Sequence, residues 1–475
     1  MVLPASLVKR TLLKHEDRGK VVSIILLTSL LTILPVGYHM VALNVPAEIM
    51  QQSLNESVYT TFGLVLSSGS VAVLWSIIVS CQSVGALLGC FMVTPLLHRR
   101  GVKSSLMLVN NVLLMVGSFS ILLPLFVQQI APKQIKGSLS CFVHIFVCFG
   151  AAVAAVLSLD FLLGGRYTWG YLLFAPAILG AVQIVGNSFI PETPNYYLQN
   201  GCYIQAIDSI KFFYGIVYDD DDEAIQEYWD MVPEMPSQMG LLEASRSWTI
   251  CRGILFGAVL SASQVFSGSV ASISYSTSMF DAVSFTKVLI PFLPALGSLI
   301  SIVLTVPALK LVETTRRRPL LLKTLALCLM ANCLLLVFSL VSMDPADSWW
   351  ASWLYLAAFF IYGIGYNLGV GPLAYFMPAE LVPLEAAGVS LGVAVAVNWL
   401  CSMVTTLVFY PLNEGAGGWS YLFFIIPSLI FLLLLYFFLP ETSYPNNLDP
   451  VESRLLMDLG PPPLPYGTFV DDGLF

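Results

Sequence analysis

Charge is what this sequence has least of: Asp, Glu, Lys and Arg make up 11% of its 475 residues, against 57% hydrophobic residues. So few charged side chains cannot coat one or more soluble domains of that length, which leaves a polytopic membrane protein. Lys and Arg number 21, sit in short clusters between apolar runs, and are outweighed to a net charge of -8, so no nucleic-acid partner is indicated. Metal-ligand spacing is lacking as well. The 9 cysteines are scattered, almost all inside apolar runs and without a CxxC pair, which supports neither a disulfide framework nor a zinc site. No Walker sequence, HExxH or nucleophile elbow occurs, so neither an enzyme nor a cofactor is expected. Residues 1–20 lack a short apolar core followed by a cleavage site, and the first span is read as the insertion signal.

What is abundant is apolar runs of about twenty residues, each long enough to cross a hydrocarbon core of roughly 30 Å as a helix. Eleven are read, near 21–43, 72–97, 104–128, 139–163, 171–190, 251–277, 288–311, 320–342, 350–375, 386–410 and 419–439. Lys9, Arg10, Lys14, Arg18 and Lys20 precede the first run and put residues 1–20 in the cytoplasm. The segment after it is then outside, where Asn55-Glu56-Ser57 forms a usable N-glycosylation sequon at Asn55. Basic loops at 98–103 and at Lys133–Lys136 both read as cytoplasmic, yet one run, 104–128, lies between them. A single straight span cannot begin and end on one side. The run is re-entrant, one loop is misplaced, or a helix is missing.

The expected organisation is a first bundle at 21–190, a cytoplasmic helical linker at 191–250, a second bundle of six runs at 251–440, and a disordered cytoplasmic tail at 441–475. The acidic run 219–223 lacks the glycine and terminal glutamate of a calcium loop and reads as a solvated turn. Arg316-Arg317-Arg318 follows the second run of the second bundle as the 98–103 turn follows the second run of the first, the echo expected of an internal repeat. The stretch 363–381, GIGYNLGVGPLAYFMPAEL, combines glycines with proline and suits a helix that bends at a gate, or a glycine-lined packing face.

Several motifs resemble those of the sugar-porter family of the major facilitator superfamily, and within it the animal facilitative glucose transporters. FIPETPNYYLQNG at 189–201 resembles the family's PESPR-type sequence, and QVFSGSVASISYSTSMF at 264–280 its QQLSGIN…YYSTSIF stretch. GVGPLAYFMPAEL at 369–381 resembles GPGPIPWF…AEL, and FLPET at 438–442 the closing PET. The resemblance implies an all-α fold of twelve helices in two bundles, with both termini cytoplasmic and the plasma membrane as location. LMLVNNVLL at 106–114 resembles the start of helix three and IAPKQIKGSL at 130–139 the turn after helix four, so most of what lies between is read as absent here.

Carried over position by position, the resemblance implies a solute site of His144, Gln264, Ser301, Asn367, Tyr375, Asn398 and Trp399. Polar positions of the family are lost at Val265 and Val270, and Asn367 and Tyr375 stand for a carboxylate and an indole. His144 lies deep in a run, where its titration range makes proton coupling conceivable, though a neutral hydrogen-bonding residue is preferred since no acidic partner lies in the inner half of that run, with a helix-packing histidine as the alternative. Gly369, Gly371 and Pro372 are the implied gate, and Arg99, Glu192, Glu313, Arg317, Arg318, Glu380 and Glu441 the implied charged latch between the halves. The expected function is transport of a small neutral sugar-like or polyol solute by alternating access, without ion coupling. A non-transporting sensor or regulatory form of the same fold is the alternative.

Overall fold

A run of apolar residues in a bilayer has no water to satisfy its backbone, so each N–H and C=O must be bonded within the segment, and a helix results. The computed structural model describes residues 23, 26–27, 30–100, 136–193, 196–197, 201–214, 239–283, 285–342 and 349–442. Its long helices are α1 (Leu30–Ala42), α2 (Ala47–Phe62), α3 (Ser68–Arg100), α4 (Lys136–Leu157), α5 (Trp169–Ser188), α6 (Tyr203–Tyr214), α7 (Trp248–Gln264), α8 (Leu293–Thr314), α9 (Arg317–Val341), α10 (Trp349–Gly365), α11 (Ala387–Ala416) and α12 (Leu422–Phe438). Every run expected from the sequence falls on one of these except 104–128. That run, residues 1–20, the acidic run 219–223 and the tail beyond Thr442 lie outside the described residues.

Among the described residues six helical stretches are long and apolar enough to cross a membrane, and α1 with α2 passes the same test only as a pair bent by 67°. Pro46 caps the start of α2, at the bend between the two helices. Lipid contact explains where the remaining apolar surface goes. On α12, Ile426, Leu429, Ile430, Leu433 and Phe437 are exposed at steps of three and four, a stripe along one side of the helix. Only 22% of the span Ile290–Val312 is covered by protein, too little for a soluble core and suited to a helix with lipid neighbours.

Small residues set the closest crossing. A Cβ on Gly37 of α1 would come within 2.0 Å of the Val147 carbonyl oxygen on α4, and one on Gly150 of α4 within 2.1 Å of the Leu34 carbonyl oxygen. The two backbones thus touch, as small-residue crossings in membranes do. The two halves meet along α3 against α11 and α4 against α8.

The exposed ion pair between Arg166 and Glu56 (2.7 Å) ties the segment after α4 to α2, and the Leu66 N–H bonds to Asn55 Oδ1 (3.3 Å) just before α3 begins. The start of α3 and the end of α4 therefore share one face. Arg100, where α3 ends, and Lys136, where α4 begins, lie toward the opposite face. The described chain thus stops at Arg100 and resumes at Lys136 toward the same side.

Candidate functional site

Two helices break where the halves meet. α7 gives way at Gln264 to a π-helical turn, Val265–Ser269, in which Gly268 adopts a φ of 102°, and the helix resumes at Val270–Ser274. Positive φ is accessible to glycine without a Cβ clash. Carbonyl oxygens at this break find partners on other helices: Asn332 Nδ2 donates to the Ser267 oxygen (2.7 Å) and the Ser428 hydroxyl to the Phe266 oxygen (2.8 Å). α10 breaks in the same way, through a π-helical turn at Tyr366–Val370 into the short helix Gly371–Ala374, whose Pro372 supplies no N–H. The stretch singled out as a bent helix is thus a helix interrupted at depth.

A cavity of about 120 Å³ opens between these breaks, α4 and α8. At about 10–15 Å³ for one water, it has room for roughly ten water-sized groups, the scale of a monosaccharide. Six of the residues expected in the site line it: His144, Gln264, Ser301, Asn367, Tyr375 and Asn398. Trp399 is buried on α11 and does not line it. Among the described residues, the lining holds no Asp, Glu, Lys or Arg, and aromatic faces come from Phe359, Phe360, Tyr362 and Tyr366.

Much of the polar lining is bonded to itself. Asn367 Nδ2 donates to the Ser301 hydroxyl (3.0 Å) and to the Gly363 carbonyl oxygen (2.8 Å), while Asn367 Oδ1 faces His144 Nε2 at 3.0 Å. Gln264 Nε2 donates to the Tyr366 hydroxyl (3.2 Å), and Gln264 Oε1 accepts from Asn398 Nδ2 (2.7 Å). Cys148, one turn beyond His144, places its sulfur 3.7 Å from His144 Nε2. The rings of Tyr366 and Tyr375 flank the imidazole at 5.6 and 6.1 Å between centroids. The expected gate residues sit beside this network. A Cβ on Gly371 would come within 2.8 Å of His144 Cε1, and one on Gly369 within 2.3 Å of Thr324 Oγ1, so both glycines permit close approach.

The two ends of the cavity are built differently. At the end toward Glu56 and Arg166, Asn44 is 1% exposed and bridges the halves with every polar atom of its amide. Its Nδ2 donates to the Ile273 oxygen (2.9 Å) and the Ser276 hydroxyl (2.7 Å), and its Oδ1 accepts from the Thr277 N–H (3.2 Å) and hydroxyl (2.8 Å). Gln51 Nε2 adds a bond to the Tyr410 hydroxyl (2.9 Å), and the Tyr275 and Tyr410 rings lie 5.1 Å apart. This end is closed.

At the other end the charges expected in the latch gather around Arg317, whose guanidinium pairs with Glu380 and lies over the Phe376 ring at 4.9 Å. Glu441 Oε1 accepts from the Arg317 and Arg318 backbone N–H groups (3.0 and 3.3 Å), capping the start of α9, and Arg318 donates to the Tyr436 oxygen (2.6 Å). These contacts join parts of the second half to one another. Glu192 is buried and accepts from the Thr193 N–H (3.2 Å). The side chains of Arg99 and Glu313 lie outside the described residues. Asn55 sits within α2.

The sequence profile of the family described as "Sugar (and other) transporter" matches residues 24–121 and 114–445. The chain belongs to this family. It is an integral, multi-pass membrane protein of a family of transporters and not an enzyme. Facilitated glucose transporter member 5 of solute carrier family 2 from Equus caballus is 27% identical over 438 residues, covering 86% of each chain. Member 3 from Mus musculus is 27% identical over 442 residues, covering 86% of this chain and 87% of its own. Among solved structures, the proton:xylose symporter XylE bound to 6-bromo-6-deoxy-D-glucose superposes with a TM-score of 0.69 at 18% identity, covering 90% of this chain and 97% of its own. XylE from E. coli in an inward-open conformation gives 0.67 at 19%, covering 92% and 99%. The all-α major facilitator fold of two helical bundles follows from these likenesses.

Residues beyond the sequence reading complete the site. Asn44 and Thr277, which close one end, and Tyr366 and Cys148, which flank the imidazole, were not singled out. The signal for Asn44 was available: an amide at the end of an apolar run, two residues before Pro46 at a helix break, is a group that must find a partner.

Proposed function

We propose that this chain carries a small neutral sugar-like or polyol solute across the membrane by alternating access, without ion coupling. The observation that carries this reading is the composition of the cavity: uncharged side chains, hydrogen-bonding groups from Gln264, Asn367 and Asn398, and aromatic faces, at a scale that suits one monosaccharide ring. Relatives named as facilitated glucose transporters support the solute class. Among the described residues no carboxylate lines the cavity to exchange a proton with His144, which favours a facilitative mode. The end closed by Asn44 is read as the outer one, because it lies with the Asn55 sequon and opposite the basic turn at Arg317. His144, Gln264, Ser301, Asn367, Tyr375 and Asn398 are the proposed solute contacts, and Gly369, Gly371 and Pro372 the proposed gate.

The test is uptake of labelled hexoses and polyols into liposomes holding the full chain, with and without an imposed pH gradient. Saturable uptake that ignores the gradient is expected. Gradient-driven accumulation overturns the facilitative mode, and no uptake by correctly inserted protein favours the sensor. Gly371→Leu sharpens the test, since its side chain would occupy the space of His144 and Tyr366. Uptake near background with insertion retained is expected, and unchanged uptake removes Gly371 from the gate.

A further inference from the structure

The hydrogen-bond chain through Asn367 has a direction, and that direction reaches the solute. It starts from two backbone carbonyls. The Ser301 hydroxyl donates to the Gly297 oxygen (2.9 Å) and therefore accepts from Asn367 Nδ2 (3.0 Å). The same amide nitrogen donates to the Gly363 oxygen at 2.8 Å. Turning the amide over would set its oxygen against that carbonyl, acceptor facing acceptor, so Asn367 Oδ1 is fixed toward His144 Nε2 (3.0 Å). Nε2 must then carry the ring hydrogen. A neutral imidazole has one N–H, so Nδ1 is an acceptor and nothing else. Nδ1 is buried and bonds to no group among the described residues, in a side chain that is 2% exposed and lines the cavity.

We propose that Asn367 locks His144 as the Nε2–H tautomer, and that the Nδ1 acceptor so presented selects solutes that offer a hydroxyl hydrogen at that point. This rests on the reading of the cavity as a solute site. Asn367 acts through the imidazole and is a positioning residue; His144 is the one that meets the solute. A glutamine put in place of His144 would offer both a donor and an acceptor, whereas the locked imidazole leaves only an acceptor. A solute lacking a donor there leaves Nδ1 unmatched as the cavity closes around it, which separates the two solutes by about 5- to 150-fold. Tyr366 and Tyr375 flank the ring, so a polar group reaches Nδ1 between aromatic faces.

Two measurements test this on the full chain in liposomes. The first is competition against uptake of the better of D-glucose and D-fructose by every monodeoxy and monodeoxyfluoro analogue, since C–F can accept a hydrogen bond but cannot donate one. At one ring position the deoxy and fluoro analogues should fall together, by at least about fivefold. That fluoro loss should vanish in His144→Phe. If His144→Phe fails to insert, His144→Gln serves, because its amide N–H can meet fluorine and should shrink the loss. A chain in which no position shows the fluoro loss, or in which the loss survives both substitutions, overturns the selection. The second measurement is the ¹⁵N spectrum of histidine-labelled protein, with His144 assigned by its disappearance in the variant. A bare Nδ1 and protonated Nε2 are expected, with the lock lost in Asn367→Leu. A protonated Nδ1 in the parent chain overturns the lock. If neither sugar enters at all, the transport reading fails and the selection with it, while the spectrum still reports the tautomer.

Discussion

The two ends of the cavity solve the same problem with opposite chemistry. At the Asn44 end the halves are joined by neutral hydrogen bonds across them, from Asn44 to Ile273, Ser276 and Thr277 and from Gln51 to Tyr410. At the Arg317 end charged groups are joined within the second half, Arg317 to Glu380 and Glu441 to the start of α9. A contact between halves must break in every transport cycle, while a contact inside one half can persist through it. Neutral bonds, each worth about 0.5–1.5 kcal/mol net, suit the first task. Ion pairs withdrawn from water cost several kcal/mol to break and suit the second.

The comparison is broken most severely by Arg317→Ala. The Arg317 side chain is 12% exposed and Glu380 keeps 30% of its own, so the acid left behind is partly but not fully stranded. A loss of about 2–3 kcal/mol is expected, below the 3–5 of a fully buried pair. It should appear as a lower thermal midpoint of the purified protein, with the orientation of the cavity unchanged. A variant as stable as the parent that faces the other way would assign Arg317 to the moving contact instead. Asn44→Ala should do the reverse. It removes the amide's bonds to the Ile273 oxygen and the Ser276 hydroxyl and leaves the part-buried Thr277 N–H without its acceptor, while the Thr277 hydroxyl keeps the Asn44 backbone oxygen (2.8 Å). The cost, about 1–3 kcal/mol in the closed state alone, shifts the population toward opening by about 5- to 150-fold. Labelling of Ile273→Cys, a cavity residue beside Asn44, by an impermeant thiol reagent should rise accordingly. No rise would show that this end is closed by packing rather than by the amide.

How far the sequence revealed this follows from the kind of signal each feature leaves. Helices were legible because apolar runs of bilayer length admit little else, and the stretch 363–381 declared its bend through Gly371 and Pro372. Six side chains of the expected site converge on one cavity, Gln264 and Tyr375 from quoted motifs and His144, Ser301, Asn367 and Asn398 from positions aligned outside them. Trp399 does not line that cavity although its neighbour Asn398 does, a distinction that depends on the rotation of α11 and leaves no mark in a linear pattern. The π-helical turns at Val265–Ser269 and Tyr366–Val370 were hidden for the same reason: Asn332 and Ser428 stabilise the first from helices distant in sequence. The latch was expected to pair across the halves; the Arg317–Glu380 pair and the Glu441 cap on α9 lie within the second. Matching residue types cannot tell those arrangements apart. The family profile splits into 24–121 and 114–445, overlapping where the end of helix three and most of helix four were read as absent.

The smallest effect, and the sharpest on the comparison, is expected from Gln51→Ala. Gln51 reaches Tyr410 from α2 through its part-buried amide, Nε2 donating to the hydroxyl at 2.9 Å with Oε1 at 3.4 Å from it, and Tyr410 keeps its ring contact with Tyr275 when the amide is removed. The loss is therefore about 0.5–1.5 kcal/mol, a shift of roughly two- to twelvefold in the same labelling of Ile273→Cys. Because the bond joins the halves, it should move orientation and not thermal midpoint, as Asn44→Ala does and Arg317→Ala does not. In the double variant with Asn44→Ala the two shifts should multiply, since each bond opposes the same opening but neither shares a partner with the other. A double variant no more open than Asn44→Ala alone would mean that Gln51 and Tyr410 part only after Asn44 has let go, making the amide the trigger and the glutamine its follower.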